Sequence, residues 1–242
     1  MKICPIASSS KGNAYLVEQD GSSILIDCGV CCKTIRSAVD LASLRGILIT
    51  HNHTDHISGI KRLLNAVDVP VYANLQTAET IACQERIDLN AFVCFENGQE
   101  FEVGPFSVLP FSIPHDAVDP VGYLIKGELT YFHGTDIGTP LDSIGLKLSE
   151  ADIATLESNH DPILLQKSDR APSLKQRISG PRGHLSNDQS CDLVRRFASP
   201  RLKKLFLAHL SHECNAPYLA LDTMKATLMD MKRGDVEVEL AE

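Results

Sequence analysis

Four side chains that commonly bind metal ions lie within six residues, in the run His51-Asn52-His53-Thr54-Asp55-His56. The residues before it, 46–50, are almost wholly apolar and predict a buried strand, while the spacing of apolar residues after His56 predicts an amphipathic helix. Imidazole and carboxylate groups suit zinc, manganese or iron. The run therefore predicts a metal site at a junction between a strand and a helix.

The spacing inside this run distributes the ligands between two positions. Alternate residues of a strand point to the same side, so His51 and His53 can reach one ion together. The turn into the helix directs Asp55 and His56 towards a second position, and two neighbouring ions form a hydrolytic centre. In the alternative, purely structural interpretation, the histidines cap a helix and line a surface.

Three further candidate ligands follow apolar runs, where strand ends are expected. They are His115, Asp136 and His209. A single histidine in such a place is often a hydrogen-bonded structural residue, but three candidates in order after the first motif favour metal binding. His212 competes for the last position, and we prefer His209 because it directly ends its predicted strand.

The order of these ligands, HxHxDH followed by His, Asp and His, resembles that of the metallo-β-lactamase superfamily. The resemblance covers nearly the whole chain and implies an α/β fold, a four-layer αβ/βα sandwich. It also implies two ions that are bridged by Asp136. The implied ligands of the first ion are His51, His53 and His115, and those of the second are Asp55, His56 and His209.

The segments between the ligands resemble the YycJ/WalJ-type branch, which is related to phosphoribosyl cyclic phosphodiesterases and tRNA 3′-processing ribonucleases. These segments are residues 7–13, 25–29, 156–161, 183–187 and 209–211. The resemblance implies a hydrolase with two metal ions, a phosphodiesterase or nuclease that acts on DNA, RNA or a small phosphodiester through metal-activated hydroxide. Asp136 disfavours antibiotic hydrolysis, because metallo-β-lactamases themselves characteristically lack a bridging carboxylate there.

A glyoxalase-II-like thioester hydrolase is the alternative function, because it uses the same ligands. A non-catalytic binding scaffold fits less well, since it is expected to have lost ligands and all seven positions are filled here. Zinc is the expected metal, with manganese and iron as alternatives that accept the same ligand set.

His184 is the candidate general acid. It lies just before a predicted helix, where Ser186 and Gln189 predict a capping box. Related phosphodiesterases place a histidine there to contact the scissile phosphate or to protonate the leaving group; helix capping is the alternative role. Asp55 is expected to bind metal and to orient the attacking hydroxide. Supporting hydrogen-bonding or structural roles are expected for Asp27, His133, His160 and Asp161.

The rest of the chain shows strand and helix patterns that would position these ligands. Asp20-Gly21 predicts a hairpin turn between strands at residues 14–18 and 23–28. Further strands are predicted at residues 46–51, 69–73, 92–95, 100–103, 107–113, 122–125, 129–133, 151–158, 204–208 and 236–240, with 92–113 forming a meander. Helices are predicted at residues 33–41, 56–67, 75–86, 187–198 and 217–231, with helix fragments in 162–183. No linker is visible, so residues 1–242 are predicted to form one domain.

Composition limits the class of protein. The chain has 242 residues and a formal net charge of −8, but residues 160–204 hold ten Lys/Arg against four Asp/Glu. This basic segment is a candidate phosphate contact, with an ordinary solvated surface as the alternative. No apolar run approaches the roughly 20 residues that span a bilayer, and the start lacks a signal-peptide pattern. A cytoplasmic protein without membrane contact is therefore expected, with its eight cysteines as free thiols.

Overall fold

Six strands in the N-terminal part of the chain form one mixed sheet. The computed structural model describes residues 1–241 in two compact units, the first of which comprises Met1–Ser112 and Ala117–Glu128. The first three strands pair antiparallel and the third to sixth pair parallel. They are β1 (Lys2–Ser9), β2 (Gly12–Gln19), β3 (Ser22–Ile26), β4 (Leu44–Leu48), β5 (Val71–Asn74) and β6 (Phe92–Phe95).

Helices connect the parallel strands of this sheet and cover its apolar residues. Leu25, Ile47 and Val71 of three adjacent strands are fully buried in one cluster with Ile35 and Ile60 from two helices. The four helices are α1 (Cys32–Ala38), α2 (Thr54–Ile57), α3 (Ile60–Leu64) and α4 (Leu75–Glu85). Because parallel strands end at the same edge of a sheet, the loops that follow them lie together, and this edge is where open α/β sheets bind ligands.

The prediction of a single helix at residues 56–67 is wrong. The chain forms two short helices there, with a break at Gly59. The Gly59 N–H donates a hydrogen bond to the carbonyl oxygen of Cys28 at 2.8 Å. A Cβ at position 59 would lie 2.3 Å from the Val30 carbonyl oxygen, so only glycine fits this close approach. The break therefore serves backbone packing that an amphipathic pattern does not reveal.

The prediction of a meander at residues 92–113 is wrong for its first strand, which belongs to the other sheet. β6 pairs parallel with β5, as is usual for a strand that follows a helical crossover. An antiparallel ladder is instead formed by β7 (Phe101–Val103), β8 (Phe106–Ser112) and β9 (Val121–Lys126). Strand β1 was not predicted; it contains Pro5 next to an irregularity in its pairing with β2.

Four parallel strands form the sheet of the second unit, which comprises Ile113–Asp116 and Leu129–Ala241. Their order in the sheet follows the chain: β10 (Thr130–Gly134), β11 (Ile153–Glu157), β12 (Lys204–Ala208) and β13 (Glu237–Leu240). The helices are α5 (Asp142–Leu148), α6 (Pro162–Lys167), α7 (Pro172–Ile178), α8 (Asn187–Phe197) and α9 (Pro217–Asp230). The predicted capping box is confirmed, since Ser186 and Gln189 exchange hydrogen bonds at the start of α8.

All eight cysteines are free thiols. Within residues 1–241, the helices are too short or too polar to cross a bilayer. The assignment of residues 1–242 to one domain stays a prediction.

Candidate metal centre

The predicted ligand run of the first unit forms a compact group of side chains. The ring of His51 lies 4.7 Å from that of His53 and 4.0 Å from that of His56, measured between centroids. Asp55 places Oδ2 3.6 Å from Nε2 of His56. His51 and His53 lie in the loop between β4 and α2, and not within the strand as predicted. The loop nevertheless brings together the side chains that the motif predicts.

A buried carboxylate fixes the orientation of His56. Asp27 is fully buried, and its Oδ2 lies 2.7 Å from Nδ1 of His56. Thr50 donates its backbone N–H and its hydroxyl to the same carboxylate, at 2.9 and 2.8 Å. Because an ionised carboxylate only accepts hydrogen bonds, the proton of His56 lies on Nδ1 and Nε2 keeps its lone pair. Such an arrangement is common for metal-binding histidines, and it matches the role expected for Asp27.

The start of β2 and the residues after β3 also contact this loop. The side-chain amide of Asn13 lies 3.1 Å from Nε2 of His56 and 3.3 Å from Oδ2 of Asp55. Gly29 packs so closely on the loop that a Cβ there would lie 1.6 Å from the Asp55 carbonyl oxygen. Asn13 and Gly29 are therefore part of the scaffold that holds Asp55 and His56.

The second unit groups the other three predicted ligands. Oδ1 of Asp136 lies 3.3 Å from Nε2 of His209 and 3.7 Å from Nε2 of His115, and all three side chains are buried. Asp136 follows β10 and His209 follows β12, so parallel pairing through β11 brings these strand ends to one edge. Nδ1 of His115 lies 3.0 Å from the carbonyl oxygen of Gly183, which fixes its ring.

His184 lies in the same group, held by a carboxylate that the sequence analysis did not single out. Its Nδ1 is 2.8 Å from Oε1 of Glu157, and its ring stacks on His209 at 5.2 Å. Ligand atoms of Asp136, Glu157, His184 and His209 all lie within 4.8 Å of one another. Burial by itself lowers the pKa of His184, but the charge and hydrogen bond of Glu157 outweigh it and raise this pKa to about 9.

Glu157 is fully buried and receives two further hydrogen bonds from the backbone. The N–H groups of Ile137 and Leu185 donate to its Oε2 at 2.7 and 3.0 Å. The carboxylate is thus fixed by the loop after β10 and by the residue that follows His184. In the sequence, Glu157 stands directly before Ser158 at the end of an apolar run. This position at a predicted strand end was the signal by which Glu157 could have been found.

The remaining candidates have structural roles or lie away from the group. His212 is exposed, whereas His209 is buried beside Asp136. Asp161 accepts a hydrogen bond from the backbone of Leu164 and caps α6. His133 is buried with Nδ1 3.1 Å from the hydroxyl of Tyr131. His160 is also buried, and its carbonyl oxygen accepts from the backbone of Asn187.

Residues 22–209 match the protein family described as the Beta-lactamase superfamily domain. The chain belongs to this superfamily. It is 34% identical over 238 residues to exodeoxyribonuclease WalJ of Streptococcus pneumoniae, covering 95% of this chain and 88% of that protein. It is 31% identical over 238 residues to exodeoxyribonuclease YycJ of Bacillus anthracis, with 95% and 89% covered. The metallo-β-lactamase fold protein YhfI from Bacillus subtilis superposes with a TM-score of 0.76 at 19% identity, covering 99% of this chain and 95% of YhfI.

The comparisons confirm the predicted family and fold class, an α/β sandwich of the metallo-β-lactamase type, and the protein is a hydrolase of that superfamily. This fold implies divalent metal ions. The donors described above fit such ions, because imidazole and carboxylate groups form close clusters and the Asp27 carboxylate holds the proton of His56 on Nδ1.

Proposed function

We propose that this superfamily member is a phosphodiesterase with two metal ions, which hydrolyses phosphodiester bonds of DNA. The observation that carries the proposal is the His184–Glu157 pair beside Asp136 and His209. A proton donor next to a metal site suits a reaction with a poor oxygen leaving group. The relatives named as exodeoxyribonucleases support the same class of substrate.

In the proposed ligand assignment, which follows the superfamily pattern, three histidines would hold one ion and Asp136 would be shared with the second. The first set is His51, His53 and His115, and the second is Asp55, His56 and His209. Zinc is the proposed metal, with manganese and iron as alternatives. When bound, these ions supply Lewis acidity and lower the pKa of water at the site.

His184 is proposed to protonate the leaving oxygen. Nδ1 is occupied by its hydrogen bond to Glu157, so Nε2 is the atom that gives up a proton. The charge and hydrogen bond of Glu157 raise the pKa of His184 and so favour the protonated imidazole, which is the form that an acid needs. Asp55 is partly exposed, and its carboxylate is proposed to orient the attacking water as well as to bind metal.

The thioester alternative fits this pair of residues less well. A thiolate leaves without a proton near neutral pH, because thiols have a pKa of about 8.5. A proton donor such as the proposed His184–Glu157 pair would therefore contribute little to thioester hydrolysis. The cytoplasm is the proposed compartment, which agrees with the eight free thiols.

The proposal is tested with purified protein that is stripped of metal and reloaded separately with zinc, manganese or iron(II). Each form is assayed against labelled single-stranded DNA, labelled RNA, bis-p-nitrophenyl phosphate and S-lactoylglutathione. Hydrolysis of DNA and of the phosphodiester, restored by metal, supports the proposal. Hydrolysis of the thioester alone would contradict the proposal and support the thioester hydrolase instead.

A further inference from the structure

A basic pocket of the first unit lies between the helices α1 and α3. It has a volume of about 600 Å³. Three of its six lining residues are cationic and none is acidic. We call it the α1–α3 pocket; its lining residues are Cys31, Cys32, Lys33, Arg36, Ser37 and Arg62.

The cations of this pocket have no carboxylate partners. Within residues 1–241, Lys33, Arg36 and Arg62 are exposed and form no ion pair. The whole chain has 31 Asp/Glu against 23 Lys/Arg, so available carboxylates are not scarce. Three like charges around one concavity repel each other, and an anion in the pocket would relieve that repulsion.

The basic segment predicted from the sequence, residues 160–204, differs in this respect. Six of its ten cationic residues form ion pairs with carboxylates of the same unit. They are Arg170, Arg177, Arg196, Arg201, Lys203 and Lys204. Its charge is therefore largely neutralised, and the α1–α3 pocket is the better anion site.

Backbone contacts join the pocket to the ligand loop. The N–H of Cys28 donates to the carbonyl oxygen of His56 at 2.8 Å, and the carbonyl oxygen of Cys28 accepts from Gly59. Gly29 packs on the backbone of Asp55. The chain then continues into the Cys31–Arg36 wall of the pocket, while Arg62 follows Gly59 by three residues. The two segments that line the pocket are therefore joined to the ligand loop through the backbone of residues 28, 29 and 59.

We propose that the α1–α3 pocket binds backbone phosphates of the DNA strand that is hydrolysed at the metal centre. This inference rests on the proposed function and adds the surface that holds the polymer. Arginine guanidinium groups match phosphate geometry and lysine adds a point charge. Contacts with phosphate carry no base information, so the pocket would hold any sequence. Cations on two helices around this volume suit a chain of phosphates better than one small anion.

The pocket carries its own reporter group, Cys31. Its exposed thiol lies 3.1 Å from the hydroxyl of Thr34, and this hydrogen bond, with help from Lys33, lowers the pKa of Cys31. Cys83 and Cys94 are also exposed but do not line the pocket, and desolvation raises the pKa of Cys94. Because the thiolate is the reactive form, iodoacetamide is expected to modify Cys31 faster than Cys94.

The first experiment measures this alkylation by peptide mass spectrometry in the metal-loaded His184→Ala protein, which is expected to cut DNA slowly. Single-stranded DNA at about ten times its Kd should slow the modification of Cys31 about tenfold, because only about a tenth of the protein stays unbound. The rates at Cys83 and Cys94 should not change. An unchanged rate at Cys31 under saturating DNA would overturn the proposal.

The second experiment compares Arg36→Glu and Arg62→Glu with the control Lys61→Glu. Lys61 lies on α3 beside Arg62, and its ammonium group donates to the carbonyl oxygen of Glu85. Each pocket variant should weaken DNA binding and reduce the slope of log Kd against log salt by about 0.7 per lost phosphate contact. Turnover of bis-p-nitrophenyl phosphate should stay unchanged, because that small ester does not extend to the pocket. Equal salt slopes in all three variants would contradict the proposal.

These readouts separate the pocket from the proposed function. Protection of Cys31 without any DNA hydrolysis by the wild-type protein would support the pocket and refute the proposed activity. DNA hydrolysis without protection of Cys31 would support the activity and refute the pocket.

Discussion

Nδ1 of His184 lies 2.8 Å from Oε1 of Glu157, a fully buried carboxylate at the end of β11. This contact fixes which ring nitrogen is free and stabilises the protonated imidazole. It links a strand end of the second unit to the loop before α8. The pair is the basis of the proposed proton transfer from His184 to the leaving group.

Replacing His184 by alanine tests this role. We expect turnover of single-stranded DNA to fall by roughly 10²–10⁴, the usual contribution of a general acid. The loss should be much smaller for bis-p-nitrophenyl phosphate, because p-nitrophenolate leaves without a proton. Metal content, measured by elemental analysis, should stay at the wild-type value. Equal losses on both substrates would indicate phosphate binding instead of acid catalysis.

Glu157→Gln tests whether the glutamate acts through His184. The glutamine can still accept from Ile137 and Leu185, but it presents an amide donor to Nδ1 and removes the charge. DNA turnover should therefore fall nearly as far as in His184→Ala. The double variant should be no slower than His184→Ala alone, because the two residues form one unit. Glu213→Gln, at an exposed position, is the control. Additive losses would show that Glu157 has a separate role.

Asp27→Asn tests the support of His56. Asparagine tolerates the positive φ of 58° at this position, so the backbone should be retained. Its amide would donate to Nδ1 of His56 and move the proton to Nε2, the proposed ligand atom. Metal affinity should fall about 10–100-fold in competition with a chelator. Asp40→Asn, an exposed position, should bind metal normally. Unchanged affinity in Asp27→Asn would mean that His56 does not depend on this hydrogen bond.

Much of the candidate site could be predicted because its ligands follow strands. The four ligands at residues 51–56 are close in sequence, so a single loop is enough to bring their side chains together. Asp136 and His209 are far apart in sequence, but each follows an apolar strand, and parallel strands place their ends at one edge of a sheet. The apolar runs were therefore sufficient to predict that Asp136 and His209 lie close together. They also pointed to His209, which directly follows a strand, in preference to the exposed His212.

The partners of these residues could not be predicted in the same way. Glu157 and His184 are 27 positions apart, and nothing in the composition of either segment pairs them. The charge of residues 160–204 suggested an open basic surface, yet Arg177 pairs with Asp116 and Arg201 with Asp152. Such pairings depend on tertiary structure. The break at Gly59 arose likewise from a backbone contact with Cys28.

The most direct test of the central claim is the number of metal ions bound per chain, measured together with DNA hydrolysis in the wild type and in Asp136→Ala. The wild type should hold up to two ions, and metal should restore hydrolysis of single-stranded DNA after stripping. Asp136→Ala should lose at least one ion and most of the activity, because a bridging carboxylate holds both ions. Full metal content with normal DNA turnover in Asp136→Ala would contradict the proposed centre.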